Sequence, residues 1–334
     1  MKFLVTGGAG FIGSHAIDAL LARGDEAIVL DDLSTGRLAN LAHLERHDRL
    51  EIVVDDVCHP SVVEPLIARC DAVIHLAAAV GVRLVMEKPV RTIVTNVRGT
   101  EVVLDAASHH RRPTFLASTS EVYGKLMDHD EIDRLVEDGD WRLGPTSRRR
   151  WAYACSKALD EFLALAYFDE RRLPVVIGRF FNTVGPRQTG RYGMVLPKFA
   201  RAAALGEPIA VHGDGLQTRC FTHVEDSVRA MLGLIDAAIE RRPSVLGGVF
   251  NIGSTHEISM LDLAQRVVAA AGSRSPVELV PYESVYGEGF EDMRRRTPDL
   301  SRIHEAIGWA PQRDLDAILA DALADQRARL ARGD

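Results

Sequence analysis

Short apolar runs and amphipathic stretches alternate through the first half of the chain. Lys2–Thr6, Glu26–Leu30, Leu50–Val54, Ala72–Leu76 and Thr114–Ser118 are brief and rich in Val, Ile and Leu, and they predict strands. Gly13–Arg23, Val90–Ser108 and residues 152–172 carry helical periodicity, and a further strand is expected at Val175–Arg179. Strands alternating with helices predict an α/β fold with a doubly wound parallel (Rossmann) sheet, whose ligand crevice lies at the carboxyl ends of the strands. After about residue 180 the pattern loosens, with Gly185-Pro186, Gly213, Gly215, Pro276 and Pro281 as punctuation. Residues 1–180 are therefore expected to form a dinucleotide-binding domain to which some later segments return. Residues 181–334 are expected to form mainly a smaller C-terminal α/β substrate lobe. The acidic and arginine-rich stretch 128–150 reads as an exposed excursion near the site entrance, and Arg148–Arg150 as a solvated face.

Composition narrows the function classes. The chain has 334 residues, a net charge of −7 and a sequence pI near 6.0, so bulk charge offers no case for nucleic acid or an anionic membrane. No apolar run approaches the roughly 18 residues of a membrane span, and the opening MKFLVTGGAG enters a glycine turn at once, unlike a signal peptide. Cys58, Cys70, Cys155 and Cys220 are scattered without a CxxC pair, as expected of reduced thiols in a cytoplasmic protein without a bound metal.

Gly7-Gly8-Ala9-Gly10-Phe11-Ile12-Gly13 follows the first predicted strand and opens the first helix. A tight turn, close backbone approach to a pyrophosphate and free N–H groups at a helix N-terminus are the demands of a dinucleotide site. Asp31 closes the second strand 18 residues after Gly13, where a carboxylate accepts the adenosine ribose hydroxyls and repels a 2′-phosphate, so NAD is the expected cofactor. Asp32 next to it is the alternative ribose ligand. Asp56 and Val57 are candidates for the edge of the adenine pocket, and Ala77 and Ala78 leave room for a cofactor against the backbone. His75 beside them reads equally as a core histidine.

Tyr153 and Lys157 stand four residues apart and share a helix face. A phenol is a poor base at neutral pH, and a nearby lysine cation together with a nicotinamide cation would favour phenolate. Ser118-Thr119-Ser120-Glu121 at the end of the fifth strand completes the constellation.

GGAGFIGSH, HLAAAVGV, STSEVYG and YACSK together resemble the extended short-chain dehydrogenase/reductases, in their nucleotide-sugar epimerase, dehydratase and decarboxylase branch. The similarity continues through Arg179–Arg187, Gly213–Arg219 and Arg294–Leu300, and so covers nearly the whole chain. It implies that Thr119 bonds the oxygen at sugar C4, that Tyr153 is the base, and that Lys157 is its partner and holds the nicotinamide ribose. Asn182 would meet the sugar diphosphate, Arg219 the phosphates, and Val195–Lys198 the nucleotide base, while Asn96 supports the site from its helix. The same resemblance implies a homodimer through a four-helix bundle made by residues 90–110 and 152–172. Binding proteins of this fold that lack turnover typically lose the tyrosine or the lysine, and both are present here.

Glu121 chooses among the reactions of this branch. Simple 4-epimerases are expected to carry a hydroxyl or small residue there, whereas 4,6-dehydratases use a glutamate on the C5 proton. Hexuronate decarboxylases carry a Ser-Glu pair, matched here by Ser120 and Glu121. The segment Tyr286–Met293 before the arginine run is more similar to the decarboxylases, and Arg296 is a candidate fork for the C6 carboxylate. The resemblance thus favours an NAD-dependent UDP-glucuronate decarboxylase making UDP-xylose. A UDP-sugar 4-epimerase and an NDP-hexose 4,6-dehydratase, such as one for GDP-mannose, remain the alternatives.

Overall fold

The computed structural model describes residues 1–129, 132–190, 194–286 and 292–333. Its centre is a seven-stranded, wholly parallel sheet. In chain order the strands are β1 (Lys2–Thr6), β2 (Glu26–Leu30), β3 (Leu50–Val53), β4 (Ala72–His75), β5 (Thr114–Thr119) and β6 (Val175–Phe180), followed by Gly248–Ile252. Across the sheet they run Gly248–Ile252, β6, β5, β4, β1, β2, β3. The expected doubly wound α/β fold is therefore the one adopted. Strand order reverses between β1 and β4, which opens a crevice at their carboxyl ends.

Both faces of the sheet are covered, which is why its strands read as unbroken apolar runs rather than alternations. In β1, Phe3 and Val5 enter one core layer with the helices Phe11–Ala22 and Val224–Ile239, while Leu4 enters the opposite layer. That second layer is closed by Pro60–Ala68, Pro89–His109 and Trp151–Arg171. A third apolar cluster belongs to the later part of the chain, where Val195–Leu205, Met260–Ala271 and Leu315–Arg332 pack together.

Two features depart from the sequence reading. The strand Gly248–Ile252 was not anticipated; it is short and flanked by glycines, and only its pairing with β6 reveals it. The stretch 128–150, of which Asp130 and Glu131 lie outside the described residues, is not an exposed excursion throughout: Leu135, Glu137 and Arg150 are buried. The Leu135 N–H donates to the Thr297 carbonyl at 2.8 Å, and the Glu137 carboxylate accepts the Asn251 N–H at 2.8 Å. Apolar burial and backbone pairing thus fold this stretch down between the last sheet strand and the late arginine segment.

Candidate active site

The cofactor end of the crevice is made of backbone. Gly7 has φ +71°, and a Cβ on it would lie 2.8 Å from the Ala77 nitrogen. A Cβ on Gly13 would lie 2.2 Å from the Gly7 carbonyl oxygen, so the turn closes only with glycine. Gly10 caps the Phe11–Ala22 helix without a side-chain hydrogen bond, and its first turn carries no acidic residue. Free N–H groups at this helix end suit a pyrophosphate.

Asp31 follows β2 directly with its carboxylate already oriented, accepting the Ala9 N–H at 3.0 Å and the Leu33 N–H at 2.9 Å. Burial raises its pKa, against those backbone donors. Asp32 instead accepts from Ser34 N–H at 2.9 Å and pairs with Arg91 at 3.3 Å. Asp56 accepts the Cys58 N–H at 2.8 Å, and Val57 is buried against Gly99. Phe11, Ile12, Ala77 and Ala78 line the same cavity. His75 is a core residue, bonded to Thr6 at 2.7 Å and Thr100 at 3.2 Å, and burial pushes its pKa down to about 3.

The opposite end is made of side chains. Thr119, the last residue of β5, accepts the Glu121 N–H at 3.2 Å and so starts the short 3₁₀ turn Ser120–Tyr123 that carries Glu121 toward the cavity. The Tyr153 hydroxyl bonds Thr119, but its pKa is raised, first by burial and then by the charges of Glu121 and Asp160. Lys157 turns its ammonium to Asp160 at 2.8 Å, with both side chains buried. Its charge is neutralised there, so in this state it does not pull Tyr153 toward phenolate as the four-residue spacing predicts. Asn96 joins the loop after β4 to the Tyr153 helix, accepting from Ala79 N–H at 2.8 Å and donating to Ser156 Oγ at 3.0 Å.

Around Glu121 lies a charge cluster that the sequence reading only half foresaw. Arg150 approaches Glu121 through both terminal nitrogens, at 2.6 and 3.2 Å. Arg296 meets Glu121 at 3.2 Å and Ser120 Oγ at 3.3 Å. Asp292 joins Arg150 at 3.4 Å and Arg219 at 2.9 Å. Arg150 and Arg219 are each 6% exposed and Arg296 7%, and the Nε atoms of Arg150 and Arg296 have no partner among the described residues. Burial disfavours the Glu121 carboxylate, yet Arg150 and Arg296 outweigh it and hold its pKa down to about 2. Burial and the neighbouring Arg219 push Arg296 down to about 10, against Glu121 and Asp292.

Arg150 therefore does not belong to a solvated face: the fold presses it against Glu121. Asp292 went unassigned, and Gly287, Glu288, Gly289, Phe290 and Glu291 of the same motif lie outside the described residues. Asn182, at φ +25°, donates to the Cys220 carbonyl at 3.1 Å and lines the cavity with Val195 and Lys198. One cavity of about 490 Å³ joins the glycine turn to the arginine cluster.

The family model described as GDP-mannose 4,6 dehydratase matches residues 4–322. A UDP-N-acetyl-alpha-D-glucosaminuronate decarboxylase of Bacillus cytotoxicus is 40% identical over 311 residues, covering 93% of this chain and 92% of the relative. UDP-glucuronic acid decarboxylase 1 of Arabidopsis thaliana is 35% identical over 335 residues, covering all of this chain and 72% of the relative. The crystal structure of UDP-glucuronic acid 4-epimerase from Bacillus cereus, in complex with UDP-glucuronic acid and NAD, is 28% identical. It superposes with a TM-score of 0.84, covering 98% of this chain and 99% of the other. With its glycine turn, its Tyr153–Lys157 helix and these relatives, the chain belongs to the GDP-mannose 4,6-dehydratase family of extended short-chain dehydrogenase/reductases.

Proposed function

We propose that the protein is an NAD-dependent decarboxylase of a UDP-linked hexuronate, converting UDP-glucuronate to UDP-xylose. The observation that carries this reading is the buried cluster: among the described residues, three guanidiniums, Arg150, Arg219 and Arg296, face two carboxylates, Glu121 and Asp292, and leave one net positive charge. A buried surplus cation calls for an anionic ligand. Arg219 is assigned to the diphosphate, and the Arg150 and Arg296 guanidiniums beside Glu121 fit a C6 carboxylate.

Gly7, Gly10, Gly13 and Asp31 hold the dinucleotide, and Asn182, Arg219 and Val195 hold the nucleotide diphosphate. Tyr153, bonded to Thr119, takes the C4 hydroxyl proton as hydride leaves that carbon. When bound, the dinucleotide would supply the hydride acceptor and later donor, with a positive nicotinamide that would favour the Tyr153 phenolate. With C4 a ketone, the C6 carboxylate is β to a carbonyl. The C5–C6 bond breaks, its electron pair enters a C4–C5 enolate, CO2 leaves, and C5 takes a proton from solvent water; Tyr153 gives its proton back to the C4 oxygen as hydride returns to C4. Glu121 positions Arg150 and Arg296. Against its burial, Arg150 and Arg296 lower its pKa in this arrangement, so it is held as their counter-charge rather than as a free base.

The 40% identical relative gives a second reading, in which the hexuronate carries an N-acetyl group at C2. Incubation with NAD and either UDP-hexuronate, followed by NMR and mass spectrometry, tests both. Loss of CO2 with a UDP-pentose appearing is expected. Conversion at unchanged mass would make the enzyme a 4-epimerase instead.

The same proposal covers assembly and place. Val90 at 74% exposure and Phe162 at 61%, with Ile93, Val94 and Leu159, leave apolar surface on the helices Pro89–His109 and Trp151–Arg171, which supports a homodimer through a four-helix bundle. Residues 1–180 with Gly248–Ile252 serve as the NAD domain and 181–334 mainly as the nucleotide-sugar lobe. A cytoplasmic location is supported by four free thiols. Among the described residues no helix is long and apolar enough to cross a membrane.

A further inference from the structure

One member of the buried cluster, Asp292, has no part in the steps above. We propose that Asp292 is a resident counter-charge that yields Arg150 to the C6 carboxylate of the hexuronate and thereby sets the discrimination between acidic and neutral nucleotide sugars. The proposal rests on the hexuronate reading.

The geometry points to Arg150 as the partner released. Its contact with Asp292 is 3.4 Å, against 2.6 Å to Glu121 and 2.9 Å between Asp292 and Arg219. It is thus the weakest link in the cluster. When it opens, neither side of Asp292 is stranded: Oδ1 keeps the Met293 N–H at 3.0 Å, and Oδ2 keeps Arg219. Displacement therefore avoids the cost of an unpaired buried charge.

The guanidinium itself supplies the vacancy. Nη1 and Nη2 of Arg150 together face Glu121, and the second hydrogen of Nη2 goes to Asp292. That hydrogen lies on the Nε side of the planar fork, and Nε is buried without a partner among the described residues. Asp292, fixed to the backbone, reaches one donor of an edge that has two. A carboxylate arriving on a sugar is free to take both, in the bidentate arrangement that guanidinium and carboxylate prefer. The neutral sugars offer only hydroxyls there and cannot displace an ionised partner. Asp292 is held ionised because Arg219, Arg150 and Arg296 outweigh its burial. As CO2 departs neutral, Asp292 takes Arg150 back, and the cluster returns to the pairing it has at rest.

The test compares affinities for UDP-glucuronate and UDP-glucose, which share the nucleotide, diphosphate and ring. Calorimetric titration on NADH-loaded protein prevents C4 oxidation during the measurement. Removing the resident charge with Asp292→Asn is expected to raise the preference for UDP-glucuronate over UDP-glucose about tenfold, because the competitor for Arg150 is gone. Asp292→Ser gives the same reading should the amide variant fail to fold, and Asp292→Glu, which keeps the charge, is expected to stay within about twofold of wild type. An unchanged or diminished preference in the neutral variants overturns the proposal. If wild type itself does not prefer UDP-glucuronate, the hexuronate reading falls first, and that outcome is visible without any variant.

Discussion

At the cofactor end of the cleft the protein presents backbone: glycines with no room for a Cβ, a helix terminus, and one carboxylate already bonded to two N–H groups. At the sugar end it presents charged side chains that pair across long stretches of chain. Asp292 meets Arg150 over a separation of 142 residues and Arg219 over 73. The first kind of site is set by backbone geometry and two backbone hydrogen bonds to one carboxylate. The second is a set of exchangeable ion pairs, and it decides which sugar is accepted. A fold can keep the first and vary the second, which is how one family spans epimerases, dehydratases and decarboxylases.

The comparison is broken most severely where the two ends meet, at Tyr153. Tyr153→Phe keeps the ring and the packing but removes the proton acceptor at C4, so turnover is expected to fall about a thousandfold. Binding of both NAD and the nucleotide sugar should survive, as measured by steady-state kinetics beside titration calorimetry. A variant with nearly full turnover would take Tyr153 out of the chemistry.

Glu121→Gln attacks the sugar end alone. It frees Arg150 and Arg296 from their shared partner while leaving Tyr153 and the glycine turn untouched. Release of CO2 is expected to fall about a hundredfold, while the first-turnover rise in NADH absorbance persists. Loss of both signals together would show that Glu121 acts at C4 and that the two ends are not separable.

Asp31→Ser attacks the cofactor end alone. Without the carboxylate, NAD affinity is expected to weaken about tenfold to a hundredfold, and NADP should gain relative to NAD as the repulsion disappears. The affinity for UDP-glucuronate should stay near wild type. If the preference between the two dinucleotides is unmoved, Asp32 or the backbone carries that selection.

The same division decides what was legible in the sequence. Gly7, Gly10 and Gly13 announce themselves because their requirement is local, a matter of a few neighbouring residues. The apolar runs of β1, β2 and β4 are equally plain, since a strand buried on both faces tolerates few polar residues. Tyr153 and Lys157 are readable from their helical spacing. Arg150 is not, because three consecutive arginines give no sign of which one turns inward until the fold presses Arg150 against Glu121. Asp292 depends on partners from two distant segments, and Gly248–Ile252 becomes a strand only by pairing with β6. Tertiary proximity assigns their roles, and nothing within a short window of sequence encodes it.

The smallest expected effect is on stability against acid, and it separates the two ends by pH. His75 lies under the cofactor end, buried and neutral, with its pKa moved from 6.5 to about 3. The unfolded chain binds a proton there below about 6.5 and the folded chain does not until about 3. Protons therefore favour unfolding, and stability is lost as the pH falls through that window, at no more than about 1.4 kcal/mol per pH unit. Glu121, at the sugar end, has its pKa moved from 4.5 to about 2. Its ion pairs contribute stability that is present above 4.5 and lost as the pH falls toward 2. The order of failure follows: the layer beneath the cofactor weakens first, and the arginine cluster only in stronger acid. Melting temperatures of wild type, His75→Asn and Glu121→Gln between about pH 7 and 4 read this directly, with a slope of roughly 2 °C per pH unit expected from His75. His75→Asn, which cannot titrate, should flatten the curve above pH 4.5, and Glu121→Gln should leave that part of it unchanged. If His75→Asn follows the wild-type slope, His75 is not the group that acid reaches first, and the two ends are not ordered in this way.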